Sequence, residues 1–317
     1  MNKHSWKGAS LLLIAAFIWG TAFVAQSVGS NDLNALAFNC IRNFIGVLAL
    51  IPVLLWQIFT TKADVNSVQT PVSSDNSLHT RLKSIFTRDL FLGGLICGTA
   101  LCIASNFQQM GIEQSTVGKS AFITALYIVL VPISGLFFKK KVSLRVWFCV
   151  ILSVIGLYLL CLKDEAFVLT TGDIYLLLCA FFFTIQITAV DYFAQKVNCV
   201  ALSMMQFLVT AILSGIGMLV TEIPSWTQIM SAMIPLLYAG VMSSGIAYTF
   251  QIIGQKHLSA TVATLIMSLE SVFATLAGWI ILKEILSTKE LIGCGLVFTA
   301  VIWSQLPNPK KKGCRNI

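Results

Sequence analysis

The chain has 317 residues, of which 57% are hydrophobic and only 11% charged, and its mean hydropathy is +0.85. A soluble domain carries about 25% charged residues, so there is too little polar surface here for a fold that faces water all round. The formal net charge of +8 does not point to nucleic acid, because the basic residues gather in alternate loops between apolar segments, as they do in multi-pass membrane proteins.

About ten apolar segments of bilayer-spanning length follow one another. They fall near residues 8–28, 33–59, 88–110, 116–138, 143–162, 172–194, 199–221, 228–253, 260–282 and 288–305. The first is longer than a signal-peptide core and lacks the usual small-residue cleavage site, so it reads as a retained span. Between the second and third, Thr60 to Thr87 is rich in Ser, Asn, Asp and Thr and reads as a cytoplasmic loop. Deleting residues between Val65 and Leu78 is expected to leave the protein's activity intact. Lost activity in a variant that inserts normally would contradict this.

With the N-terminus in the cytoplasm, the inner segments hold most of the Lys and Arg, including Lys3, Lys7, Arg81, Lys83, Lys139 to Lys141 and Lys310 to Lys312. The outer side holds Lys119, Lys163, Lys283 and Lys289. This bias predicts that both termini are cytoplasmic and that the basic tail 306–317 touches anionic lipid. The nine cysteines form no CxxC pair and mostly lie in apolar segments, where they pack as small apolar residues. There is no HExxH and no Gly-rich phosphate loop. Neither enzyme activity nor a metal or other cofactor is expected, and any energy must come from a gradient or the membrane potential.

The second five segments echo the first five. Gly8 to Phe17 lies over Gly172 to Phe181, Thr116-Val117 over Thr261-Val262, Ser143 over Ser287, and Gly94-xxx-Gly98 over Gly240-xxx-Ser244. Small residues four apart let helices approach closely in lipid. Two consecutive copies of a unit with an odd number of spans enter the membrane from opposite sides. The expected fold is therefore an all-α membrane protein of ten transmembrane helices, built as two inverted-topology five-helix repeats at 8–162 and 172–305. Secondary transporters use this architecture for alternating access.

On these residues the chain resembles the drug/metabolite transporter superfamily, specifically its ten-span EamA-type members with two EamA repeats. The carriers of the resemblance are Ile18-Trp-Gly-Thr21, Arg42 of Phe38-Asn-Cys-Ile-Arg, Gly118 to Pro132, Ser268-Leu-Glu-Ser-Val-Phe273 and Lys283-Glu284-Ile-Leu-Ser287. Two departures stand out. Lys139 to Lys141 replace the acid that commonly ends the fourth span, and Ser271 replaces the proline that usually follows the ninth-span acid, which puts a kink there in question. The resemblance implies export or exchange of small metabolites, often amino acids, across the bacterial inner membrane.

Two charges lie deep. Arg42 in span 2 and Glu270 in span 9 fall about 14–15 Å into a ~30 Å core, the level at which transporters hold substrate. They are read as coupling or structural charges. They pair with each other, or each bonds to neighbouring amides and carbonyls, or they serve substrate: Glu270 as proton carrier or ammonium ligand, Arg42 as carboxylate ligand. Lys119 near the outer rim either snorkels to water or meets a substrate carboxylate. Asn106, Gln186 and Gln251 are candidate amide ligands, and Trp19, Phe183 and Tyr248 candidate cavity walls, with spans 3, 4, 8 and 9 enclosing the site. The expected partners are a small zwitterion, the lipid bilayer and, in the coupled reading, protons. A flippase for a lipid-linked substrate and a non-transporting receptor or scaffold are the alternatives from other classes.

Overall fold

The computed structural model describes residues 3–60, 78–137, 139, 142–161, 170–221, 223–282 and 287–306. The basic residues Lys310 to Lys312, the Lys140-Lys141 pair, the Lys283-Glu284 pair and most of the polar loop lie outside the described residues.

The described chain is helical. Spans 1 to 3 are single helices at Lys3–Gly29, Ala35–Thr60 and Arg88–Ile112. Span 4 is two pieces, Val117–Thr124 and Tyr127–Phe137, and span 5 is Leu144–Cys161. Spans 6 and 7 are Thr171–Phe193 and Cys199–Thr221. Span 8 runs from Met233 to His257 with a π-helical centre at Tyr238–Tyr248, span 9 is again two pieces, Ala260–Met267 and Leu269–Leu282, and span 10 is Thr288–Gln305. Among the described residues, eight helices are long and apolar enough to cross a membrane, namely spans 1–4 and 6–9. The expectation of ten full-length spans is met less completely. Span 5 is a shorter apolar helix. Span 10 has 18 residues and carries Lys289 and Glu290 in its first turn. At 1.5 Å per residue an 18-residue helix rises about 27 Å, short of a ~30 Å core. These two helices pack on each other, and a Cβ on Gly156 would lie 2.9 Å from the Gly293 carbonyl oxygen.

Equivalent close approaches set the register of the two repeats. A Cβ on Gly111 would meet the Leu176 side chain and lie 3.1 Å from the Gly172 carbonyl oxygen; one on Gly254 would meet Leu12 and lie 3.1 Å from the Gly8 carbonyl oxygen. Span 3 therefore crosses span 6 as span 8 crosses span 1, with Gly8 matching Gly172. A Cβ on Gly98 would sit 2.6 Å from Val209 Cβ and 2.8 Å from the Gln206 carbonyl oxygen; one on Gly240 would sit 2.6 Å from Ile45 Cβ and 2.8 Å from the Arg42 carbonyl oxygen. Continuing the Gly8/Gly172 register without a gap places Ile45 on Val209 and Arg42 on Gln206.

Two sequence alignments are corrected by this geometry. Gly98, not Gly94, is the counterpart of Gly240; Gly94 packs on Met205. One more residue separates Gly240 from Gly254 than Gly98 from Gly111, and the π-helical stretch accommodates a one-residue insertion of this kind. In spans 4 and 9 the caps shift the register by two. Thr116 caps Val117–Thr124 and Ser259 holds the matching position before Ala260–Met267, each an eight-residue helix. Thr116 therefore falls on Ser259, and Ile123, Leu126, Tyr127 and Val129 fall on Ile266, Leu269, Glu270 and Val272.

Spans 4 and 9 both break after those eight residues. The backbone tightens to three-residue bonds, Ile128 N–H to Ala125 O at 3.0 Å and Ser271 N–H to Ser268 O at 3.2 Å. Span 9 breaks without the missing proline. Ser271 instead donates its hydroxyl to the Ala121 carbonyl of span 4 at 3.0 Å, so the two interruptions are bonded to each other. Irregular backbone at membrane depth is tolerated where protein or a cavity surrounds it.

Candidate functional site

A cavity lined by residues of both repeats lies beside these breaks. Much of its wall is symmetric under the repeat register. It contains Trp19 with its counterpart Phe183, Phe23 with Ile187, Gln108 with Gln251, Thr124 with Met267, and Tyr127 with Glu270. Corresponding residues of the two halves thus face one space, which places the cavity on the pseudo-twofold axis. Spans 1 and 6 contribute to the wall as well as spans 3, 4, 8 and 9, and Arg42 enters from span 2. Spans 1 and 6 enter the wall through Trp19, Phe183 and Gln186, residues singled out from the sequence alongside spans 3, 4, 8 and 9.

The deep charges do not pair directly with each other; each has its own neutral partner. Arg42 is buried and donates from Nη1 to Gln26 Oε1 at 3.0 Å, with its guanidinium 5.8 Å from the Phe38 ring centre. Glu270 accepts at Oε1 from the Tyr127 hydroxyl at 2.8 Å. The cation and the acid thus each have a neutral partner and share one cavity. Gln251 donates to Gln186 at 3.3 Å and Gln186 to Gln206 at 3.2 Å. This amide chain ends on Gln206, the counterpart of Arg42. The rings of Trp19 and Tyr248 meet edge to face at 4.8 Å.

Several polar atoms here lack protein partners. Buried Arg42 Nε and Trp19 Nε1 are donors with no acceptor among the described residues, and Gln251 Oε1 is a buried acceptor with no donor. Unsatisfied buried polar groups are uncommon and call for an explanation, such as water or a ligand.

Of the residues singled out from sequence, Trp19, Arg42, Gln186, Tyr248, Gln251 and Glu270 line this cavity, as does Phe183. Asn106 lies off the wall. Its Nδ2 donates to Cys102 O at 2.8 Å and Ser214 Oγ at 2.9 Å, and its Oδ1 accepts from Asn39 at 3.1 Å. That network ties spans 2, 3 and 7 together. Lys119 also lies off the wall, its ammonium 2.7 Å from Asp173 Oδ2 at the head of span 6. Gln26, Thr124, Tyr127 and Ser243 are wall residues that sequence reasoning did not single out. Tyr127 was legible as the counterpart of Glu270, but only in the register set by the caps.

The sequence matches the EamA-like transporter family over residues 6–162 and again over 170–305. It is 27% identical over 293 residues to an uncharacterized transporter of Archaeoglobus fulgidus, with 92% of this chain and 83% of that protein covered. A crystal structure of a protein sharing 15% identity superposes with a TM-score of 0.73 over 94% of this chain and 96% of that one, which shows a common fold. The helices, the doubled family match and the Archaeoglobus fulgidus relative make the chain a multi-pass membrane transporter and not an enzyme, and it belongs to the EamA-like transporter family.

Proposed function

We propose that this transporter is a secondary carrier of amino acids or similar small zwitterions, working by alternating access between its two halves. The observation that carries this reading is the set of buried polar atoms without protein partners on residues that line the cavity. Arg42 Nε and Trp19 Nε1 offer two donors to a carboxylate. Gln251 Oε1 and the Glu270 carboxyl offer acceptors to an ammonium. A substrate bearing both groups satisfies both sets at once and adds no net charge to a buried site. The charge bias of the loops supports cytoplasmic termini, and the family resemblance a bacterial inner-membrane location. The direction inferred from the family resemblance is outward transport or exchange.

Glu270 is the group we assign to coupling. It is the acid of the cavity wall, and its hydroxyl partner, Tyr127, comes from the other repeat at the matching position. Glu270→Gln is expected to abolish proton-driven accumulation while solute-for-solute exchange survives. Uptake and exchange in proteoliposomes with and without an imposed pH gradient test this. Unchanged dependence on the gradient would remove Glu270 from coupling.

A further inference from the structure

The two ends of the cavity differ in chemistry at matching positions of the repeats. At the end where span 4 begins, Lys119 reaches across to Asp173 of span 6 at 2.7 Å. Asp173 is fully buried and held in place by the backbone N–H of Thr170, 2.8 Å from the same Oδ2 oxygen. At the end where span 9 begins, the counterpart of Lys119 is Val262, and it lines an open cleft of about 770 Å³.

The cleft is walled by spans 4, 6 and 9 and the start of span 5, and includes Ser134, Thr188 and Ser259. The hydroxyls of Ser134 and Thr188 lie 3.3 Å apart. In the repeat register Ser134 falls on Ala277 and Thr188 on Val24. Those two residues belong to a buried apolar cluster with Val117, Ala121 and Ala274, each only 6% exposed. Hydroxyl-bearing positions at one end are thus apolar at the other, where Ala277 is packed and Val24 also borders an apolar surface groove with Thr21, Val28 and Tyr238. The cleft also comes close to the site, because Val131 in its wall is one helical turn from Tyr127, and Thr188 directly follows Ile187 of the cavity wall.

We propose that Lys119 and Asp173 form a latch closing the cavity at the end where span 4 begins, and that solute in this state passes through the hydroxyl-lined cleft at the opposite end. The proposal rests on the carrier reading above. By the charge bias, the latched end is the outer one and the cleft the cytoplasmic one. Breaking the pair leaves the Asp173 carboxylate without its cation, which opposes opening until another partner or water reaches it. The alternate state must therefore supply Asp173 with another partner or with water, and an ion pair of this kind makes the two states discrete rather than graded.

Single cysteines in the full-length, cysteine-depleted protein test this, read by the rate of labelling with a hydrophilic maleimide. With Lys119 present, Ser134→Cys should label quickly and Ala277→Cys slowly. Adding Lys119→Met should speed labelling of Ala277→Cys at least tenfold and slow that of Ser134→Cys; Lys119→Arg should keep the original pattern. Should Lys119→Met not fold, Asp173→Asn, which keeps an acceptor for the Thr170 N–H, is expected to act the same way. Unchanged rates in a folded latch variant would overturn the proposal. The labelling needs no substrate, so that result alongside intact solute exchange removes the latch alone, whereas failure of all solutes to exchange with the labelling shift present removes the carrier reading.

Discussion

Arg42→Gln is expected to abolish solute exchange while leaving the protein at least as stable as its parent. Arg42 is a fully enclosed cation whose one described side-chain hydrogen bond goes to a neutral amide, Gln26. Replacing a buried charge by a neutral group is often neutral or stabilising, by about 1–4 kcal/mol where pairs or triads have been replaced, and glutamine keeps a donor for Gln26. Hydrogen bonds to charged groups contribute about 1.5–3 kcal/mol each. Losing such a bond from Nε to a substrate carboxylate costs roughly ten- to a hundredfold in affinity. A purely structural Arg42 predicts the opposite pattern, with stability falling and affinity in the surviving folded protein unchanged. Thermal unfolding of the detergent-solubilised protein and solute affinity, measured on the same preparation, separate the two.

The second large effect is in packing. Gly98→Ala and Gly240→Ala should each cost about 1–3 kcal/mol, the range for overpacking a tight contact, and by similar amounts. At both sites the added methyl would press against a Cβ at 2.6 Å and a backbone carbonyl at 2.8 Å. Backbone does not yield as the end of a flexible side chain does. Gly118→Ala is the control. Nothing lies within 4 Å of a Cβ there, so the substitution should gain up to about 1 kcal/mol from helix propensity. Folded fraction after graded heating measures all three. Unequal losses at Gly98 and Gly240, differing by more than about 1 kcal/mol, would contradict the twofold relation between span 3 on span 7 and span 8 on span 2.

Much of the fold was legible in the residue order because lipid leaves few choices. Long apolar runs must be helices, and two odd-numbered repeats must be inverted. The match of Gly8 and Leu12 to Gly172 and Leu176 carried through to the structure because spans 1, 2, 6 and 7 align without gaps. Spans 3 and 8 did not align simply, since an inserted residue absorbed in a π-helical stretch leaves no signature in composition, and Gly94 looked as good a partner for Gly240 as Gly98. The two-residue error in spans 4 and 9 had the same origin. A Thr-Val pair matched by letter, whereas the helix caps at Thr116 and Ser259 set the true alignment.

At the site, Arg42 and Glu270 stood out because charge at mid-membrane depth is costly. Tyr127 and Gln26, their hydrogen-bond partners, did not, since a tyrosine or glutamine in an apolar helix is ordinary until its neighbours across the cavity are known. Lys119 stood out as a cation at the rim, but its partner Asp173 lies at the start of another span, and no spacing rule connects them.

The measurement that bears most directly on the central claim is counterflow in proteoliposomes carrying wild-type protein or Arg42→Gln, loaded with a mixed pool of amino acids and other small metabolites and read by mass spectrometry. The account predicts that zwitterionic amino acids exchange through the wild-type protein and that this exchange is lost in the folded Arg42→Gln variant. Exchange confined to solutes without paired opposite charges, or zwitterion exchange that persists undiminished without Arg42, would contradict it.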